Sequence, residues 1–192
     1  MDVAERVIQT IQPHVRSIAL VGSRAEGRAT DLSDWDFRVE TDDFEALAPT
    51  LPELVVPLNP LARQWDRLSR EQCFMLILHG PVKVDLIFPD EAHTDEPPWR
   101  PSRDNLAAID AHFWDWILWL RSKEAERVVV ELEKLSEHLL RPLGADHPPS
   151  SIAEAVESYR AARSRAQREL GVSVPRDLET EVAPVVTPRA RP

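Results

Sequence analysis

The chain has 192 residues, 43% hydrophobic and 29% charged, enough apolar material for one ordinary domain with an appendage and too much for a wholly disordered polymer. It carries 33 acidic and 23 basic side chains, a formal charge of −10; that sign repels long phosphate backbones, so no nucleic acid is expected as partner, and it favours a cationic acceptor or a metal-bound nucleotide. No apolar run reaches membrane-spanning length, no secretory leader is visible, and Cys73 is the single cysteine, so a cytoplasmic protein with no membrane partner and no disulfide is expected.

Val3, Val7, Ile8 and Ile11 recur at helical spacing and predict a helix over residues 2–12, closed by Pro13. Ser17–Val21 reads as a short buried strand ending at Gly22. Residues 35–40 alternate with period two, Asp36, Arg38 and Glu40 on one face and Trp35, Phe37 and Val39 on the other. A short helix is expected over residues 43–47 and a short strand over 54–58. Two apolar runs follow, 73–78 and 82–88, and His79-Gly80-Pro81 between them predicts a hairpin. Pro89, Pro97, Pro98 and Pro101 then sit among acidic residues, as in an exposed linker whose acidic part, residues 89–96, is available to a cationic acceptor.

Beyond the linker the pattern turns helical. Leu106, Ile109, Phe113, Trp116, Ile117 and Leu120 form one apolar stripe, and Val128, Val129, Leu132, Leu135 and Leu139 form another, ended by Pro142 and Gly144. Trp116 belongs to its stripe, whereas Trp114 and Trp119 lie off it, to pack or to line a cleft. Ser150-Ser-Ile-Ala-Glu154 is a capping start for a third helix over 151–170. The expected organisation is a compact domain over residues 1–90, a linker over 91–103, a helical region over 104–170 and a loose, disordered tail over 171–192.

Chemistry concentrates in residues 21–36. An apolar strand ends at Gly22-Ser23, and a turn containing Gly27 follows. Gly22 allows a phosphate to approach the backbone, the Ser23 hydroxyl can donate to a phosphate oxygen, and N–H groups opening the next helix favour an anion. Asp34 and Asp36 are two apart at the start of a strand and point the same way. Asp85, in an otherwise apolar strand, costs free energy unless paired or metal-bound. Convergent carboxylates of this kind suit Mg²⁺. Lys83 shares the side of Asp85 and reads as a solvated lysine. The histidines show no zinc spacing, and Cys73 reads as a small core residue.

Gly22-Ser23, a ten-residue spacer, Asp34-x-Asp36 and a later Asp85 together resemble the DNA polymerase β-like nucleotidyltransferase superfamily, and within it the small bacterial branch that includes antibiotic nucleotidyltransferases. The resemblance covers residues 5–90. It implies an α+β fold: a mixed β-sheet nucleotidyltransferase core with helices on one face, followed by a C-terminal helical region. It also implies roles. Asp34, Asp36 and Asp85 would be catalytic and would ligate two Mg²⁺ ions, while Gly22 and Ser23 hold the phosphates of ATP or another nucleoside triphosphate. Arg24 and Arg28 would be further nucleotide-binding residues. The implied reaction moves a nucleoside monophosphate, AMP from ATP, to a hydroxyl of a small-molecule acceptor such as an aminoglycoside-like antibiotic. Two alternatives stand beside it: a protein acceptor, as in toxin–antitoxin-like pairs, and a non-catalytic nucleotide-binding protein.

Overall fold

The computed structural model describes residues 2–93 and 99–187. The chain divides into two compact units, residues 1–95 and 96–192.

The first unit is built on a five-stranded mixed sheet of β1 (Ser17–Val21), β2 (Trp35–Glu40), β3 (Pro60–Trp65), β4 (Glu71–Leu78) and β5 (Val82–Ala92), in the order β1-β2-β5-β4-β3. β2 and β5 run parallel, and every other neighbouring pair is antiparallel. The period-two pattern of β2 explains its place. Phe37 and Val39 are buried while Arg38 on the opposite face is exposed. The helices of this unit are α1 (Val3–Ile11), α2 (Gly22–Ala25), α3 (Phe44–Leu47) and α4 (Leu51–Leu54). α1 opens with a capping box between Asp2 and Glu5 and turns Val7 and Ile11 into the core. There they join Leu47, Leu51, Phe37, Val39, Leu86 and Phe88 in one apolar cluster. Phe44, Trp65, Phe74 and Phe88 add edge-on ring contacts with centroids 5.1–5.6 Å apart.

Several expectations change here. Residues 54–58 are not a strand. Leu54 closes α4 and Val56–Leu58 is a 3-10 turn with proline in its first positions, where a missing N–H costs nothing. β3 had no strand signal, because this edge strand begins at a proline and is half exposed. The hairpin does join β4 to β5, with Gly80 at φ +92°. β5 nevertheless continues through Pro89 to Ala92, where a linker was expected. Its pairing with β4 slips between Gln72, opposite Phe88, and Glu71, opposite Ala92. Pro89 sits in that irregularity, where no ladder donor is required. Residues 94–98 of the expected linker, and so the end of its acidic stretch, lie outside the described residues.

The second unit contains α5 (Leu106–Leu120), α6 (Ala125–Leu135), a π-helical turn (Ser136–Leu140), α7 (Ile152–Leu170) and α8 (Asp177–Val186). α5 is buried around most of its circumference, so one stripe does not describe it. Trp114 is fully buried and meets Tyr159 edge-on, so it packs rather than lining a cleft, whereas Trp116, expected in the core, is only half-buried. Trp119 lies half-buried beneath the cations of Lys123 and Arg127. On α6, Leu132 and Leu135 are buried but Val129 is exposed, so the second stripe is narrower than its valines implied. The expected tail is corrected by α8, which buries Leu178, Val182, Ala183 and Val186. Residues 188–192 lie outside the described residues. A polar network links three helices. The Tyr159 hydroxyl donates to Asp110 Oδ1 (2.6 Å) and Arg163 Nη1 to the same oxygen (2.8 Å). Arg163 also pairs with Glu179, which accepts from Arg160 Nε at 2.7 Å.

Candidate active site

The parallel pairing of β2 with β5 sets residues 36 and 85 directly opposite one another in the sheet, so the side chains of Asp36 and Asp85 leave it on the same face. Val21, the last residue of β1, pairs with Asp36 on its other side. The chain therefore turns at Gly22 immediately beside the Asp36 carboxylate. Gly22 has φ +69°, and a methyl group on its Cα would lie 2.6 Å from Asp36 Oδ2. Conformation and space both require glycine there. Ser23 follows, half-buried. α2, which contains both residues, is a single turn of four residues. It is too short to supply the helix-terminus field expected from the sequence, which leaves the Gly-Ser turn and the Ser23 hydroxyl as the candidates for holding a phosphate.

Asp34 stands just ahead of β2, half-buried. Its backbone is held by Arg24. Arg24 Nε donates to the carbonyls of Ser33 (3.1 Å) and Asp34 (3.0 Å), Nη2 donates to Ser33 (2.6 Å), and the guanidinium lies 4.0 Å from the centre of the Trp35 ring. This arginine, expected to bind nucleotide, staples the Gly-Ser turn to the segment that delivers both aspartates. Arg28 is exposed and paired with Glu26. The loop from Arg28 to Asp34 is shaped by Thr30 and Ser33, whose hydroxyls accept from the backbone N–H groups of Leu32 and Thr30 respectively.

Lys83 was misread as solvated. Its side chain is 5% exposed, and Nζ lies 2.7 Å from Oδ1 of Asp85, itself 15% exposed. No sequence signal separates a buried lysine from a solvated one in an alternating strand; the clue was its position two residues from a carboxylate, on the same face. Cys73 is buried, as a core residue would be. Among the described residues no three His, Cys, Asp or Glu side chains are gathered as a ready-made metal cage. The structure brings Asp36, Asp85 and Gly22 together, with Asp34 one strand-repeat before Asp36 and Ser23 next to Gly22.

The donor set fits Mg²⁺. It consists of hard carboxylate oxygens, and Mg²⁺ is characteristically held by one or two carboxylates together with substrate phosphates rather than by an all-protein cage. The missing Cβ of Gly22 makes room for the Asp36 carboxylate itself, which lies directly against the Gly-Ser turn.

No curated protein matches the chain. Among solved structures it is similar to an aminoglycoside 6-adenyltransferase from Bacillus subtilis, at 11% identity over 95% of both chains and a TM-score of 0.33. It is also similar to the polymerase core of TRAMP, an RNA surveillance complex, at 14% identity and a TM-score of 0.34, over 95% of this chain and 50% of that one. A family model described as a nucleotidyltransferase domain matches residues 1–106. That stretch is more than half of the chain and includes the Gly-Ser turn, both aspartates of β2 and its approach, and the Lys83–Asp85 pair of β5. The chain thus belongs to the nucleotidyltransferase domain family and is a nucleotidyltransferase.

Proposed function

We propose that the chain is a Mg²⁺-dependent enzyme that transfers AMP from ATP to a hydroxyl of a small cationic acceptor of the aminoglycoside kind, releasing pyrophosphate. The observation that supports it most is the in-register placement of Asp36 and Asp85 on parallel strands, with Gly22 closed against Asp36. Asp34 and Asp36 would hold the metal, which when bound supplies charge neutralisation at the phosphates. The Gly22-Ser23 turn receives the triphosphate, the backbone by close approach and Ser23 by its hydroxyl. Asp85 orients the acceptor hydroxyl and takes its proton as the oxygen forms a bond to the α-phosphorus and the bond to the bridging oxygen of pyrophosphate breaks. Arg24 acts through the backbone it holds, as a positioning residue. The formal charge of −10 supports a cationic acceptor.

The test is pyrophosphate release from each nucleoside triphosphate with Mg²⁺ across a panel of aminoglycosides and lincosamides, with the Asp34→Asn, Asp36→Asn double variant as blank. Acceptor-dependent release from ATP, lost in the double variant, is the expected result. Metal-dependent ATP binding without release for any acceptor overturns the small-molecule reading in favour of a protein acceptor. Absence of nucleotide binding overturns the catalytic site itself.

A further inference from the structure

The catalytic reading above, on which this inference rests, has Asp85 take the acceptor's proton, and the family resemblance implies a second divalent ion on it as well, yet the residue already has a cation. Lys83 and Asp85 are two apart on β5 and share a face, with 2.7 Å between Nζ and Oδ1 and both side chains largely withdrawn from water. Three of the 23 basic residues are lysines, and this one is buried while Lys123 and Lys134 are not. The choice of side chain matters. A lysine ammonium is a compact point charge, close in character to a small cation, whereas a guanidinium spreads its charge over a wide planar fork. For a divalent ion to bind Asp85 through Oδ1, Lys83 would have to leave its partner within a poorly hydrated place, and separating a buried ion pair is strongly unfavourable.

We propose that Lys83 supplies, as a fixed ammonium, the positive charge at Asp85 that a second divalent ion would otherwise bring, so that the chain takes one divalent cation per bound nucleotide, through Asp34 and Asp36. Lys83 is on this account a positioning residue: it neutralises Asp85 and fixes its rotamer, leaving Asp34 and Asp36 to the ion that arrives with the triphosphate. The two-ion arrangement implied by the family resemblance is thereby reduced to one ion and one built-in ammonium.

The experiment counts Mn²⁺ bound per chain, by the loss of the free-ion electron paramagnetic resonance signal, in the presence of a saturating non-hydrolysable ATP analogue. Wild type is expected to bind one ion, Lys83→Arg one, and Lys83→Met two. Lys83→Met should also melt at lower temperature than wild type in metal-free buffer and recover the difference when Mn²⁺ is added, because the ion then replaces the lost ammonium. Lys83→Gln repeats both measurements if the methionine variant does not fold. Two ions on wild type, or one ion on the methionine or glutamine variant, overturns the proposal while leaving the catalytic reading intact. No saturable Mn²⁺ on wild type with the analogue present overturns both.

Discussion

At position 22 two independent constraints fall on one residue, and they make different failures distinguishable. The positive φ alone would make alanine costly by about 1–3 kcal/mol, a loss read as a lower melting temperature. The 2.6 Å approach to Asp36 Oδ2 is different: an added methyl displaces the carboxylate by rotating its short side chain. Gly22→Ala is therefore expected to abolish nucleotidyl transfer, whereas alanine at Gly27, where φ is +68° and nothing lies within 4 Å, should cost stability alone. Comparing turnover and melting temperature of the two variants checks this; equal activity in both would remove the steric argument. Arg24 makes the complementary case. Its guanidinium holds the Ser33 and Asp34 carbonyls, so Arg24→Gln should weaken Mn²⁺ affinity in the presence of nucleotide about 10–100-fold, as is usual for residues that orient metal ligands. A direct phosphate contact would instead show as weaker binding of metal-free nucleotide. The placement of Gly22, Ser23, Asp34 and Asp36 was legible because a strand, a turn and an alternating pair set it locally. Arg24 and Lys83 were not, because each takes its meaning from a partner that the fold supplies.

Among the elements, those with strong local periodicity and clear punctuation were readable: β1, the β2 alternation, the β4–β5 hairpin, and α7, with its Ser151 cap and a left-handed Gly171 at its end. What escaped was decided by tertiary context. β3 needed β4 to define it, and the order that puts β5 beside β2 is a long-range pairing that makes the site without any local trace. α8 was hidden by prolines, although Pro175 precedes it and Pro184 falls in its last turn, while Leu178, Val182 and Val186 keep one apolar side. Its attachment to α7 carries a pH signature. Burial pushes the Glu179 carboxyl up, but hydrogen bonds and charge from Arg163 and Arg160 outweigh it and hold the group below its ordinary range. The folded chain thus binds this proton less readily than the unfolded chain, so the stabilisation is present above the ordinary carboxylate value and is lost as pH falls through the lowered one. Asp110 has the opposite sign: burial raises it against the hydrogen bonds of Tyr159 and Arg163, so its protonation partly offsets the acid loss. Melting temperature followed from neutral pH down through the carboxylate range should fall more steeply for wild type than for Glu179→Gln. Parallel curves would mean that the α7–α8 ion pairs contribute nothing to acid sensitivity.

On the scale of the whole molecule, the excess of acidic residues bears on the acceptor rather than on the chemistry. The proposed phosphate-and-metal site would serve any hydroxyl that reaches it, so discrimination must come from elsewhere, and a formal charge of −10 is a field that acts before contact. A polycationic acceptor would be concentrated by that field, an anionic one kept away, and a neutral one unaffected. Such steering is screened over a Debye length of about 10 Å at 0.1 M salt. If it selects the acceptor, KM for an aminoglycoside should rise by roughly threefold or more as ionic strength goes from about 0.05 to 0.5 M, with kcat unchanged. The same titration with a neutral hydroxyl acceptor should leave KM flat. The two outcomes divide the problem physically: a salt-dependent KM assigns acceptor choice to long-range charge, whereas a flat response for the cationic acceptor assigns it to short-range fit. A triphosphate carrying a divalent ion keeps a net negative charge, so the acidic balance does not favour it as composition suggested, and its own KM should move in the opposite direction in the same experiment, falling as salt screens the repulsion. That opposite movement separates electrostatic steering from a general weakening of the enzyme by salt, which would raise both.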